Sequence, residues 1–98
     1  MGFWAIEPYA SQAFRYYCPD PRPDPDSKAA ELNLAAAETA MQKMSVRDRG
    51  LLREVYSCRI FPLSKAVAQV AQETGAAEKE IWSAIRIATR HFAHARGL

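Results

Sequence analysis

The feature that most constrains this chain is the stretch AVAQVAQETGAAEKEIW at residues 66–82, where two helical patterns meet at a glycine. Before Gly75, small apolar residues recur every three or four positions, which is the spacing of one face of a helix. After Gly75, a charged segment begins a second helical pattern. Because glycine readily adopts a positive φ, Gly75 can end the first helix and join the two helices by a tight turn.

The spacing around this turn fits a helix-turn-helix motif. Ala71, four residues before Gly75, is small enough for the two helices to approach closely, and Ile81, six residues after it, can anchor the second helix. The remaining inward positions hold Val67, Val70 and Ala84. Any compact pair of helices can share this spacing, so a purely structural helix pair remains the alternative interpretation.

The last helix is predicted to run from about Glu78 to Arg96 and to have two different faces. At about 100° per residue, one face is apolar and should be buried; it holds Ile81, Ala84, Ile85, Ala88, Phe92 and Ala95. The opposite face holds Lys79, Ser83, Arg86 and Arg90, with His94 near its end. A packed side and a basic side are what a helix in the major groove needs, although a solvated basic face is equally compatible with this pattern.

The first turn of this helix also carries two carboxylates, and a tryptophan follows that turn. Glu78 and Glu80 flank Lys79 and suit the positive end of the helix dipole, which favours such carboxylates by about 0.3–1 kcal/mol each. Trp82 lies beside the basic stripe, where it can contact a thymine methyl group or a sugar. The alternative is that Trp82 covers the edge of the core or an interface.

The preceding segments are also helical in pattern. A narrow apolar stripe on a long helix from about Ser27 is formed by Ala30, Leu34, Ala37, Met41 and Met44. Ser45 is predicted to cap a second helix with Asp48 as its partner, and Ser64 to cap a third. No alternation typical of β-strands competes with these patterns. The sequence therefore predicts an all-α fold, a small bundle of about four helices.

The N-terminal segment is predicted to be an aromatic arm and a linker, residues 1–27, ahead of a helix-turn-helix domain at 28–98. Residues 1–17 carry six of the ten aromatic residues, too many for a solvated tail. A proline at every second position from Pro19 to Pro25 then disfavours a helix. We expect the arm to pack either on its own domain or on a second copy, which would make a homodimer.

Charge and cysteine content narrow the functional classes. Residues 1–43 hold four basic and six acidic side chains, and residues 44–98 hold nine basic and five acidic ones, so the positive charge belongs to the helix-turn-helix half. Cys18 and Cys58 are predicted to be two reduced thiols, and no metal or cofactor site is expected. The chain shows no membrane-spanning run and no secretion signal, which indicates a cytoplasmic protein.

Two motifs carry resemblances to bacterial families. The segment QVAQETGAA followed by IWSAIRIA resembles the C-terminal effector domain of the sporulation-initiation response regulator, over roughly residues 63–96. The segment MSVRDRGLLREVY is similar to the helix before the helix-turn-helix in region 4 of primary sigma factors. Both resemblances imply a bacterial domain that binds promoter DNA. At the positions where these families contact bases, this chain has, among others, Trp82 and Ser83.

The leading hypothesis is therefore a small DNA-binding transcription regulator. Its DNA-contacting residues would be Lys79, Trp82, Ser83, Arg86 and Arg90 on the last helix, with Arg47 and Arg49 at the start of the second helix. The rival hypothesis is a protein-interaction module on a degenerate helix-turn-helix scaffold, which contacts a sigma factor, RNA polymerase or a phage protein. An enzyme is disfavoured because no histidine–carboxylate pair or nucleophile motif stands out.

Overall fold

The chain forms a bundle of five helices in the computed structural model, which describes residues 2–98. The helices are α1 (Phe3–Tyr17), α2 (Lys28–Gln42), α3 (Val46–Ser57), α4 (Leu63–Thr74) and α5 (Glu78–Arg96). No strand occurs in these described residues. The predicted all-α bundle is confirmed, and the predicted bounds of the last helix match α5.

The segment predicted as an aromatic arm is helix α1, which adds a fifth helix to the bundle. Its buried positions Ile6, Ala10, Phe14 and Tyr17 recur every three or four residues, so α1 has a continuous apolar face. Pro8 lies inside the helix, but its ring is on the exposed side. The apolar periodicity therefore prevails over the helix-breaking tendency of proline.

An aromatic cluster attaches α1 to the rest of the domain. The ring of Phe14 stacks on Tyr56 of α3, with centroids 5.3 Å apart, and contacts Phe92 of α5 at 5.8 Å. The hydroxyls of Ser11 and Tyr56 are hydrogen-bonded at 3.0 Å inside the core. The radius of gyration of the chain, α1 included, is 12.5 Å, which is close to the roughly 12.6 Å expected for a compact domain of this length. The aromatic segment thus packs on its own chain.

Two of the three predicted helix signals are confirmed. The Ser45 hydroxyl accepts a hydrogen bond from the backbone N–H of Asp48 at 3.1 Å, as a capping residue should. Gly75 has φ of 77° and ends α4, and its N–H donates to the carbonyl of Ala71. The predicted cap at Ser64 is wrong. Helix α4 starts at Leu63, and its N-cap residue is Pro62, two residues before Ser64. Pro62 offers only its backbone carbonyl, which accepts hydrogen bonds from the backbone N–H groups of Lys65 and Ala66.

Helix α5 is the centre of the bundle, because all four other helices pack against it. Its buried face holds Ile81, Ala84, Ile85, Ala88, Thr89, Phe92 and Ala93. Ala95, predicted to be buried, is exposed. Near the C-terminal end of α5, the residue that contacts α2 is Arg96, whose Nε donates to Asn33 Oδ1 at 2.7 Å. Ala95 points to solvent because successive residues of a helix are rotated by about 100°.

Helix α2 supplies the small residues that let it lie close to α5. Its buried positions are Ala36, Ala37, Ala40 and Met41. Ala30 and Leu34, also predicted on the buried stripe, are only partly covered. Within residues 2–98, no helix has both the length and the apolar character needed to cross a membrane.

Candidate functional site

The turn between α4 and α5 lies at Gly75, where the sequence predicts it. Gly75 is in the left-handed conformation, and Ala76 behind it is buried. Ile81 is fully buried and Ala71 is partly buried against the core. The small and apolar residues at these positions therefore hold α5 against α4 and leave its other side free.

Four of the predicted DNA-contacting residues lie on the solvent side of α5. Lys79, Ser83, Arg86 and Arg90 are all exposed. Trp82 is partly buried and packs against the edge of the core, the second of the two placements considered for it. The structure thus brings the predicted basic stripe together on one accessible face.

The first turn of α1 lies next to this stripe. Lys79, Trp82, Ser83 and Arg86 line one shallow groove together with Trp4, which we call the tryptophan groove. The side chain of Trp4 is 70% exposed although Phe3 contacts it edge-on at 4.8 Å. Sequence patterns did not place Trp4 at this site, because nothing along the chain relates residue 4 to residues 79–86.

Arg47 is held by a carboxylate of α5. Its Nε donates to Glu80 Oε1 at 2.6 Å and its Nη2 to Oε2 at 3.0 Å, a bidentate pair that links the start of α3 to the first turn of α5. The hydrogen bond from Arg47 lowers the pKa of Glu80 and raises that of Arg47. Glu80 therefore neutralises a cation that was predicted to contact phosphate. Arg49 is partly buried on α3.

A second groove, which we call the arginine groove, runs between the start of α1 and the C-terminal half of α5. It is lined by Phe3, Ile6, Arg86, Thr89, Arg90, Ala93, His94 and Leu98. The Arg86 guanidinium lies over the ring of Phe3, 5.6 Å from its centroid, a cation–π arrangement. The Thr89 hydroxyl is buried without a hydrogen-bond partner in residues 2–98. The position of a threonine on the otherwise apolar face of α5 is a sequence signal that could have indicated this groove.

The two cysteines are not joined to each other, and burial keeps one of them, Cys18, in its thiol form. Cys18 and Cys58 are free and partly buried. Burial raises the pKa of the Cys18 thiol to about 12, although Arg53 and Arg22 act in the opposite direction. Because the thiolate is the nucleophile, this thiol is unreactive near neutral pH. Residues 2–98 bring no three metal-ligating side chains together.

Comparison with protein-family models, with curated proteins and with solved structures finds no match to this chain.

Proposed function

We propose that the protein is a small DNA-binding transcription regulator whose helix α5 docks in the major groove. The observation that carries this proposal is the arrangement of α5, which buries its apolar face and exposes Lys79, Ser83, Arg86 and Arg90 on the other. Lys79 and Ser83 lie nearest the turn and would meet base edges. Arg86 and Arg90 would meet phosphates, as arginines on docked helices commonly do.

The affinity of one such domain is expected to be modest. A single helix offers few base contacts, and much of the binding free energy comes from phosphates. We propose that the protein acts as a homodimer or together with RNA polymerase or a sigma factor. The exposed Trp4 at the start of α1 is the residue best placed to contact such a partner.

A gel-shift titration with short duplex DNA tests the DNA-binding proposal. We expect wild-type protein to bind with an affinity that falls steeply between about 50 and 200 mM salt. The double variant Arg86→Ala with Arg90→Ala should bind more weakly and reduce the slope of log affinity against log salt by about 2, since each phosphate contact contributes about 1.

The matched control is Lys28→Ala with Lys43→Ala, which removes the same charge from exposed positions at the two ends of α2. This control should keep most of the wild-type affinity and slope. Equal losses in the two double variants would mean that net charge, rather than the face of α5, determines binding. A wild-type protein that shifts no DNA even at low salt would refute the proposal.

The tryptophan groove favours a second candidate function, a protein-interaction module. Trp4 and Trp82 border Lys79 and Arg86, and an exposed tryptophan beside cations is typical of a contact that is central to a protein interface. The partner would be RNA polymerase, a sigma factor or a phage protein. In this case α1 would form the edge of the binding surface instead of standing beside the DNA.

Co-migration with purified bacterial RNA polymerase holoenzyme on a sizing column tests the polymerase form of this candidate. Trp4→Ala should abolish co-migration. Leu32→Ala, which truncates an exposed apolar side chain on a different helix, α2, should leave co-migration intact. Binding to the holoenzyme without any gel shift would favour the interaction module over the DNA-binding regulator.

A further inference from the structure

The arginine groove has the size and shape of a small-molecule site. It encloses about 330 Å³, within the range of about 300–1,000 Å³ that is usual for ligand pockets. Its walls come from two helices far apart in sequence, α1 and α5. One wall is apolar, with Phe3 and Ile6, and the other is polar, with Arg86, Arg90 and His94.

The arginines of the polar wall form no ion pair with a carboxylate of the described chain. The ion pairs within residues 2–98 are Lys28–Glu31 and Arg47–Glu80, and neither involves this groove. Arg86 and Arg90 are one turn apart on α5, a spacing at which like charges repel each other. An anion placed between them relieves that repulsion and gains charge-assisted hydrogen bonds.

The floor of the groove contributes an unsatisfied hydrogen-bonding group. The side chain of Thr89, only 2% exposed, has no partner for its hydroxyl among residues 2–98. Buried polar groups are nearly always hydrogen-bonded, so the Thr89 hydroxyl is a donor at the groove that the rest of residues 2–98 does not use. Thr89 lines the same groove as Arg86 and Arg90 and lies three residues, about one turn, beyond Arg86.

The apolar wall indicates what the rest of the ligand is. The Phe3 ring lies under the Arg86 guanidinium at 5.6 Å, which orients this cation at the mouth of the groove. Ile6 is buried beside it and extends the apolar surface inward. A fully hydrated ion such as free phosphate would leave this wall without a partner, whereas a ring or short alkyl group would cover it.

We infer that the arginine groove binds a small amphipathic anion, with one phosphate or carboxylate group on a short apolar body. The anionic oxygens lie between Arg86 and Arg90 and accept a hydrogen bond from the Thr89 hydroxyl. The apolar body lies against Phe3 and Ile6. This inference does not depend on DNA binding.

Isothermal titration calorimetry with matched probes tests the inference. Phenyl phosphate and benzoate each carry one anionic group, a phosphate or a carboxylate, on a phenyl ring. Inorganic phosphate lacks the ring, and phenol lacks the anionic group. We expect at least one of the two aromatic anions to bind about tenfold or more tightly than inorganic phosphate and phenol. The absence of saturable binding by both aromatic anions at millimolar concentrations, or equal binding of inorganic phosphate, would overturn it.

Variants locate the binding to this groove. Arg86→Ala with Arg90→Ala should abolish probe binding, and the near-isosteric Thr89→Val should weaken it by about tenfold. The control Lys28→Ala with Lys43→Ala should bind the probe as wild type does. Wild-type affinity for the probe in either groove variant would contradict the inference. So would a nuclear magnetic resonance titration in which the probe shifts amide signals elsewhere but none at the start of α1 or in residues 86–94.

The outcomes separate this inference from the proposed function. A protein that shifts DNA and binds neither aromatic anion keeps the DNA-binding proposal and loses the ligand site. A protein that binds an aromatic anion through Thr89 and shifts no DNA keeps the ligand site and loses the DNA-binding proposal. Thr89→Val is the most useful variant here, because the DNA-binding proposal assigns no contact to the Thr89 hydroxyl, whereas the ligand site does.

Discussion

The two ends of helix α5 differ in how their charges are compensated. In the first turn, Lys79 lies between Glu78 and Glu80, and Glu80 is itself paired with Arg47. Further along, Arg86, Arg90 and Arg96 follow in a segment, residues 81–98, that contains no acidic residue. The N-terminal end is thus a balanced set of charges, whereas Arg86 and Arg90 further along α5 form no ion pair within residues 2–98.

This difference matters for the proposed function, because a helix-turn-helix regulator would need positive charge at the start of its second helix. In such motifs the N-terminal residues of the second helix commonly face base edges. Here those residues are partly neutralised from within the molecule. Further along α5 and beside α1, Arg86 and Arg90 remain available to an anion, whether a DNA phosphate or a small ligand.

The largest expected effect concerns what supports the C-terminal half of α5. Phe92→Ala would remove the ring that contacts Phe14 and Tyr9 of α1, and it should lower the free energy of unfolding by about 3–5 kcal/mol. Chemical denaturation measures the change. Phe92→Leu, which keeps most of the volume, should cost clearly less. A loss below about 1 kcal/mol for the alanine variant would mean that α1 contributes little to holding this half of α5.

Two buried hydroxyls give a matched pair of substitutions with opposite signs. Ser11→Ala would leave the Tyr56 hydroxyl without its partner in the core and should destabilise the protein by about 1–3 kcal/mol. Thr89→Val removes a hydroxyl that has no partner in residues 2–98, so it should stabilise the ligand-free protein. Thermal and denaturant unfolding of both variants decide this. Destabilisation by Thr89→Val would show that its hydroxyl is satisfied in solution.

Breaking the charge balance at the N-terminal end of α5 should strengthen DNA binding. Glu80→Gln would free the Arg47 charge and remove a carboxylate beside Lys79 and Ser83. If the protein binds DNA as proposed, we expect an affinity increase of up to about tenfold and a salt slope steeper by about 1. Glu38→Gln, an exposed change of the same charge on α2, should have a smaller effect in the same gel-shift assay.

The smallest expected effect is the pH dependence of the Arg47–Glu80 pair. Because the hydrogen bond from Arg47 lowers the pKa of Glu80, the pair stabilises the fold above the usual pKa of a glutamate, and this stabilisation is lost as the pH falls through the lowered value. A carboxyl-detected titration by nuclear magnetic resonance should show the lowered pKa. In Arg47→Ala it should return towards the ordinary value. An unchanged pKa in that variant would show that the pair does not persist in solution.

Local signals along the chain were sufficient to predict helices α4 and α5 and the turn between them. Gly75 requires positive φ, and the apolar spacing from Ile81 to Phe92 marks the buried side of α5, so both could be predicted without tertiary information. The capping hydroxyl of Ser45 was predictable for the same reason, because its partner Asp48 is three residues away. The exposed positions of Lys79, Ser83, Arg86 and Arg90 follow from this helix periodicity.

What could not be predicted depends on contacts between distant segments. Pro8 and the density of aromatic residues obscured the helical spacing of Ile6, Ala10 and Phe14, whose burial depends on α3 and α5. The pairing of Arg47 with Glu80 joins residues 33 positions apart. The two grooves depend on α1 lying alongside α5, so their aromatic members Phe3 and Trp4 had no signal in the local pattern.

The position of Trp4 beside Trp82 also gives the protein a built-in optical reporter. These are the only two tryptophans in the chain, and both line the same groove. The tryptophan emission of the protein therefore originates next to Lys79 and Arg86, with no contribution from a tryptophan elsewhere in the chain. Any molecule that settles on this side of α5 should change the intensity or wavelength of that emission, so unlabelled protein can be screened directly, and Trp4→Phe would separate the two fluorophores.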